Sequence, residues 1–174
     1  TDVDPIELIQ EIKSVFQEQA NNRQISLNLI ADDNLQSIRC ERGKIYQVLY
    51  NLVDNSLKFT PEGGNIQIST TIGNDGVVFE VSDTGIGIPL EDQPHVFERF
   101  YRVNSSRQYR GTGLGLSIAR HIVEAHGGTI SLTSSDGNGS VFGFNIPVRA
   151  CNRSNFNGNG SVFGFNIPVR ACNR

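Results

Sequence analysis

The 174-residue chain is long enough for one α/β domain with a substantial hydrophobic core and too short for two. Its 37% hydrophobic residues and net charge of only −3 exclude a disordered chain and a basic surface for nucleic acid. No apolar run approaches the ~20 residues of a bilayer span, so no direct membrane contact is expected.

The first half of the sequence predicts two helices with two strands between them. Asp4 can cap the first helix, with Pro5 at its first position. Apolar residues at helical spacing then continue this helix to about Ala20. ISLNLIA and QSIRC have the composition of strands, and a strongly amphipathic helix is predicted over 44–59. Its predicted inward stripe consists of Ile45, Val48, Leu49, Leu52, Val53 and Ser56.

The second half predicts a third long helix with one hairpin before it and one after it. NIQISTTI and VVFEVSD alternate around the turn GNDG, and TISLTSS and VFGFNIPV form the second hairpin. Between them, a short helix is predicted over 90–97, a polar mobile loop over 98–110, and a long helix over 114–126. This order predicts one mixed sheet with helices on one face.

The last strand occurs twice in the sequence. GNGSVFGFNIPVRACNR at 137–153 recurs without change at 158–174. Either the copy arose in cloning, or it is a spare strand that pairs with a sheet edge or exchanges between protomers of a homodimer. We therefore predict one domain over 1–149 and a duplicated strand within 150–174. Because Pro147 has no backbone N–H to donate to a neighbouring strand, the strand is predicted either to lie at a sheet edge or to end at this proline.

Cysteine and histidine spacing carries no signature of a disulfide framework or a zinc site. The cysteines, Cys40, Cys151 and Cys172, form no CxxC pair, and their odd number argues against a set of disulfides. His121 and His126 are five positions apart and therefore lie on different faces of the predicted helix. A reducing, cytoplasmic location is expected, which is compatible with a membrane-bound parent protein.

The second helix carries a polar stripe. Asn51, Asn55 and Lys58 lie at i, i+4 and i+7, opposite the apolar stripe. Asparagine is a weak helix former, so two of them in mid-helix require an explanation beyond propensity. An amide oxygen can ligate Mg²⁺ that keeps its waters and phosphate ligands, and a lysine can meet phosphate charge. A merely solvated helix face would show the same stripe, so both interpretations stay open.

Two glycine-rich segments carry the other candidate residues. In DTGIGI, residues 83–88, a carboxylate at a strand end is followed by Gly85 and Gly87. Backbone without side chains lets a planar ligand approach while Asp83 accepts from an exocyclic amine, although such glycines are also common in turns. In GTGLGL, residues 111–116, glycines open a helix whose free N–H groups can hold phosphate. No Gly-Lys-Ser/Thr follows and no βαβ unit frames it, so it is neither a Walker loop nor a dinucleotide fingerprint.

Together these segments resemble the sensor histidine kinases. NLVDNSLKFT is similar to the family's asparagine box, DTGIGI to its first glycine box, VFERFYR to its phenylalanine box, and GTGLGLSIARHIVEAHGG to its second glycine box. The boxes occur in the family's order, and the resemblance implies the Bergerat-type ATP fold shared with DNA gyrase, mismatch-repair ATPases and heat-shock chaperone ATPases. We therefore predict an α/β fold with a mixed, mostly antiparallel sheet of about five strands, covered on one face by three helices.

The resemblance also implies a site for ATP and Mg²⁺. Asn55 would ligate Mg²⁺, and Asn51 and Lys58 would complete the catalytic group by supporting the metal and the phosphates. Phe59 would pack near the sugar or base, and Asp83 would read the adenine amino group. The base pocket would be shaped by Gly85, Gly87 and Ile88. Arg102 and Arg110 lie in the loop that the family uses as a lid and would contact phosphate. The triphosphate would be wrapped by Gly111, Thr112, Gly113, Leu114, Gly115 and Leu116.

Two departures bear on the implied reaction. The hydrolysing relatives have a glutamate four residues before the metal asparagine, but here that position is Asn51, which cannot take a proton. The family's phosphoacceptor motif, His followed by Glu or Asp and then Leu-Arg, does not occur in the sequence. The resemblance therefore implies γ-phosphoryl transfer from MgATP to a histidine on a separate dimerisation domain of the same kinase, with a response regulator downstream. The alternatives are a non-catalytic nucleotide sensor and an ATPase of the gyrase or chaperone kind.

Overall fold

The computed structural model describes residues 1–103 and 111–148, and its elements follow the predicted order with one additional short strand at the start. They are β1 (Asp2–Val3), α1 (Pro5–Asn22), β2 (Ser26–Ala31), β3 (Ile38–Arg39), α2 (Arg42–Phe59), β4 (Asn65–Ile72), β5 (Gly76–Asp83), a 3₁₀ helix (Gln93–His95), α3 (Gly115–Ala125), β6 (Ile130–Ser134) and β7 (Ser140–Pro147). Arg110 and the second copy of the repeat, 158–174, lie outside the described residues.

The helices form where periodicity and end signals predict them. α1 begins after Asp4, whose carboxylate accepts hydrogen bonds from the backbone N–H groups of Ile6 at 2.8 Å and Glu7 at 3.4 Å. The predicted inward stripe of α2 is buried, and α2 ends just before Pro61 because a proline cannot continue a helix. None of the helices in the described ranges combines the length and the apolar character that a membrane span requires.

The main sheet of the described residues has five strands in the order β2-β4-β5-β7-β6. β2 and β4 are parallel, and the other neighbouring pairs are antiparallel. A parallel pair needs a long crossover connection, which α2 supplies, whereas β4–β5 and β6–β7 are the two predicted hairpins. The predicted α/β fold with a mixed, mostly antiparallel sheet is confirmed.

One face of this sheet packs against the helices and forms the core. Along β5, Val77, Phe79 and Val81 are buried and alternate with more exposed residues, as strand geometry requires. Phe79 stacks on Phe144 of β7 with ring centroids 5.0 Å apart. The buried faces of α1, α2, α3 and the sheet belong to one hydrophobic cluster. α2 is thereby fixed on the sheet, and its polar stripe is directed away from the core.

Two predicted elements differ from the structure. Of QSIRC, only Ile38–Arg39 is a strand, and it pairs with β1 in a separate two-stranded sheet rather than joining the main one. The predicted helix over 90–97 is wrong, because the segment contains only the three-residue 3₁₀ helix. Pro94 disfavours the α conformation for the residue before it, which prevents a regular helix from passing through this point.

β7 lies inside the sheet, between β5 and β6. The prediction of an edge position for this strand is therefore wrong. Pro147 is the last residue of β7, which agrees with the alternative prediction that the strand ends at that proline. Both flanks of β7 are occupied within the described part of the chain, so a second copy has no vacant position beside the first.

Candidate functional site

A cavity of about 270 Å³ lies between α2, the loop that follows β5 and the segment that leads into α3. The predicted site residues that line it are Asn51, Asn55, Lys58, Phe59, Asp83, Gly87, Ile88, Arg102, Gly111, Thr112, Gly113, Gly115 and Leu116. Gly85 and Leu114 are not part of the lining, and Arg110 is outside the described residues. Four segments that are separated in sequence are thus brought to one concave surface.

Asp83 is held by three donors at the end of β5. Its Oδ1 accepts hydrogen bonds from the backbone N–H groups of Gly85 at 2.9 Å and Ser140 at 3.2 Å. Its Oδ2 accepts from the hydroxyl of Ser56 at 3.0 Å. Burial raises the pKa of the Asp83 carboxyl above its ordinary range, and the three donors act in the opposite direction. An ionised carboxylate has about four acceptor sites, so Asp83 keeps one to offer to a ligand in the cavity.

Gly85 supports the site from behind the cavity wall. A Cβ at this position would lie 2.6 Å from the Phe59 carbonyl oxygen and 2.7 Å from Oδ1 of Asp83. Only glycine allows the loop to approach the end of α2 this closely, and the N–H of Ile86 then donates to the Phe59 carbonyl at 3.1 Å. Gly87 has a φ of +71° and sits against the carbonyl of Ser135, so a side chain there would be strained and would collide.

The polar stripe of α2 faces the cavity. The Asn51 amide nitrogen donates to the carbonyl of Gly115 at 3.1 Å, which ties α2 to the start of α3. The Lys58 ammonium lies 2.5 Å from a carboxylate oxygen of Asp54, which also lines the cavity. The Asn55 side chain lines the same wall beside them. The stripe therefore borders a concave pocket.

The start of α3 lies at the cavity wall. α3 begins at Gly115, and Leu114 before it makes no side-chain capping hydrogen bond. Gly115 and Leu116 line the cavity, as do Gly111 and Gly113 of the preceding segment. The uncapped first turn of a helix carries unpaired N–H groups and the positive end of the helix dipole, which together suit a phosphate or carboxylate.

Sequence reasoning missed several residues of the cavity wall. They are Asp54, Ile86, Val96, Tyr101, Val103, Ser140, Phe142 and, as a wall residue, Ser56. Asp54 had a local signal, because it stands four residues before Lys58 on a helix, where opposite charges meet. Ser140 and Phe142 had none, because they reach the site through the pairing of β7 with β5, in which Ser140 stands opposite Asp83.

Comparison with known proteins shows which family the chain is similar to. The family described as histidine kinase-, DNA gyrase B- and HSP90-like ATPase matches residues 40–150. The sensor histidine kinase YclK of Bacillus subtilis is 38% identical over 152 residues, which cover 86% of this chain and 32% of YclK. The chain thus spans about a third of the length of this curated relative.

Two solved structures are similar to the fold described above. The nucleotide-free catalytic domain of histidine kinase ThkA has a TM-score of 0.76 and 35% identity, and the match covers 85% of this chain and 95% of that one. ThkA in complex with the response regulator protein TrrA has a TM-score of 0.72 and 34% identity, with 85% of this chain and 41% of that one covered.

Proposed function

The chain belongs to the histidine kinase-, DNA gyrase B- and HSP90-like ATPase family and is the ATP-binding catalytic domain of a sensor histidine kinase, and from this premise we propose how its residues act. In this proposal the cavity binds MgATP, and the γ-phosphoryl group passes to a histidine on a separate dimerisation domain of the same kinase. The phosphoryl group then goes on to a response regulator, since the relative ThkA forms a complex with one. We place this role in the cytoplasm, in agreement with the cysteine spacing of the sequence.

The arrangement around Asp83 is the observation that carries the proposal. One acceptor site of the carboxylate remains for a donor on a planar ligand, and Ile86, Ile88 and Phe142 supply apolar walls around it. Lys58 and the uncapped start of α3 line the same cavity. An amino-bearing base beside Asp83 and a polyphosphate beside Lys58 and α3 match these two chemistries.

The donor set also fits Mg²⁺. This ion keeps several waters and takes phosphate oxygens, so a single amide oxygen, that of Asn55, is an adequate protein ligand. The ion would neutralise charge on the phosphates during transfer. Asn51 and Lys58 would support the phosphates from the same helix face, and Arg102, Arg110 and residues 111–116 would supply further phosphate contacts.

The proposal favours transfer over hydrolysis. Asn51 occupies the position where a general base would activate water, but its amide cannot accept a proton and instead donates to the Gly115 carbonyl. The chain also lacks the phosphoacceptor motif, so the acceptor imidazole comes from another domain. The contribution of this domain is to align the phosphoryl donor with that imidazole.

Transfer assays with the full chain test the proposal. The chain is incubated with γ-labelled ATP, Mg²⁺ and a separately produced dimerisation domain of the same kinase, and label on the acceptor histidine is measured. We expect labelling by the wild type, loss of labelling with Asn55→Ala, and unchanged labelling with the control Asn22→Ala on the exposed end of α1. Steady phosphate release without the acceptor would instead identify an ATPase. ATP binding with neither transfer nor hydrolysis would identify a nucleotide sensor.

A further inference from the structure

A network of hydrogen bonds centred on Ser134 lies directly behind the cavity wall. The Ser134 hydroxyl oxygen is 2.9 Å from the backbone nitrogen of Ile88, 2.8 Å from the carbonyl oxygen of Gly139 and 2.9 Å from the hydroxyl oxygen of Ser140. A serine hydroxyl has one donor and two acceptor sites. Ile88 N–H can only donate and the Gly139 carbonyl can only accept, so these three contacts use the full capacity of the Ser134 hydroxyl.

Gln93 joins a third segment to this network. Its side-chain nitrogen donates to the Ile88 carbonyl at 2.9 Å and to the Ser134 carbonyl at 3.0 Å. One amide group therefore ties the 3₁₀ helix to the loop after β5 and to the end of β6. Neither Gln93 nor Ser134 lines the cavity.

The partners of this network form the wall around Asp83. Ile88 and Ser140 line the cavity, and the Ser140 N–H donates directly to Oδ1 of Asp83. The turn between β6 and β7 is also bound to the same loop, because the Gly137 N–H donates to the Ile86 carbonyl at 2.8 Å. Among the described residues, no hydrogen bond joins Ser134 or Gln93 to Lys58 or to the start of α3. The network therefore acts on the part of the cavity around Asp83.

We propose that Ser134 and Gln93 are positioning residues that set base selectivity: they hold Ile88 and Ser140 so that Asp83 meets a 6-amino purine rather than a 6-oxo purine. This inference rests on the proposed binding of ATP. A loosened wall lets Asp83 move, and the single acceptor site that it offers then no longer coincides with the amino group of the base.

The test compares three ligands that share a polyphosphate: MgATP, MgGTP and inorganic tripolyphosphate with Mg²⁺. Dissociation constants are measured by calorimetry for the wild-type chain, Ser134→Ala, Ser134→Thr and Gln93→Leu. The matched control is Ser131→Ala, the same change on the same strand, where the hydroxyl is on the other face and donates to the Gly143 carbonyl at 3.3 Å.

Ser134→Ala and Gln93→Leu are expected to lose about three- to tenfold in ATP affinity, while tripolyphosphate affinity stays unchanged and the preference for ATP over GTP shrinks. Ser134→Thr keeps the hydroxyl and is expected to retain the preference, as is Ser131→Ala. An equal loss for ATP and tripolyphosphate, or an unchanged ATP to GTP ratio, would overturn the inference. Should Ser134→Ala prove unfolded by circular dichroism, Gln93→Leu decides the same question. A wild-type chain that does not bind ATP would refute the proposed function itself, which separates the two failures.

Discussion

The carboxyl group of Asp83 is partly buried at the end of β5, and burial raises its pKa even though three donors surround it. The ionised form is therefore less stable in the fold than in the unfolded chain. A residue chosen for stability alone would be neutral at this position. A carboxylate at this position is consistent with a ligand that supplies one more hydrogen-bond donor.

Asp83→Asn is expected to raise the free energy of unfolding at pH 7, because it removes a charge that the folded state disfavours. For an acid whose folded-state pKa is raised, the unfavourable contribution is present above that pKa and disappears as the pH falls through it. The stability difference between variant and wild type should therefore shrink on acidification. Urea unfolding at several pH values measures it, with Asp75→Asn in the exposed turn after β4 as the control.

The same substitution is expected to weaken ATP binding by about tenfold, because an acceptor that faces the base amino group becomes partly a donor. Calorimetry with ATP and tripolyphosphate separates a loss of base recognition from a general loss of binding, since only the affinity for ATP should fall. Wild-type ATP affinity in Asp83→Asn would remove this residue from the base pocket.

The ion pair between Lys58 and Asp54 places a negative charge in a cavity proposed to bind polyphosphate. Asp54→Asn removes that charge and releases the Lys58 ammonium. We expect tripolyphosphate to bind about two- to fivefold more tightly in low salt without Mg²⁺, an advantage that salt should screen. Asp33→Asn makes the same change in net charge on an exposed residue away from the cavity, and an equal gain there would show that only the net charge matters.

At the scale of elements, the end of α2 is held in place by groups from two other segments. The Arg23 guanidinium donates to the carbonyls of Leu57 and Thr60, and the Ile86 N–H donates to the carbonyl of Phe59. These contacts satisfy the carbonyls that a helix leaves unpaired at its end, and a cation there interacts favourably with the helix dipole. They also fix the last turn of α2, which carries Lys58.

Arg23→Met is expected to lower the free energy of unfolding by about 1–2 kcal/mol, because it leaves carbonyls at the end of α2 without their donor. Methionine keeps much of the aliphatic stem, so the change isolates the guanidinium. Urea denaturation measures the loss, and Arg39→Met on the exposed side of β3 is the control. Equal stability of the two variants would show that the cap contributes nothing.

At the scale of the whole molecule, the duplicated strand must be reconciled with a sheet in which β7 is internal. β7 pairs with β5 on one side and β6 on the other, and its buried Phe142, Phe144 and Ile146 belong to the core. One protomer has a single position for this sequence. We therefore propose that 1–149 is the functional domain and that the second copy contributes, at most, to association between protomers.

Truncation after Arg153 is expected to leave ATP affinity unchanged, because the first copy already supplies β7 and the wall residues Ser140 and Phe142. Any dimer detected by light scattering in the full chain should diminish, since the spare strand is what could exchange between protomers. A truncated chain that no longer binds ATP would show that the second copy is the one built into the sheet.

Local chemistry was sufficient to predict much of this protein. The capping of α1 by Asp4, the apolar stripe of α2 and the two hairpins follow from interactions between residues close in sequence, which composition and periodicity record directly. The resemblance of the glycine-rich segments and the polar stripe to those of sensor histidine kinases, rather than local periodicity, indicated most of the cavity lining. Gly85 was predicted to shape the pocket, but its actual position behind the wall depends on the approach of the loop to α2.

Only the tertiary structure decided how these local pieces combine. The hydrogen bond from Ser140 to Asp83 joins residues 57 positions apart, and no periodic pattern states which strands become neighbours. The insertion of β7 between β5 and β6 placed Ser140 beside the carboxylate, moved the predicted edge strand into the interior and created the network around Ser134. Strand order is set by the burial of whole faces against α1, α2 and α3, a property of the assembled chain that no single segment contains.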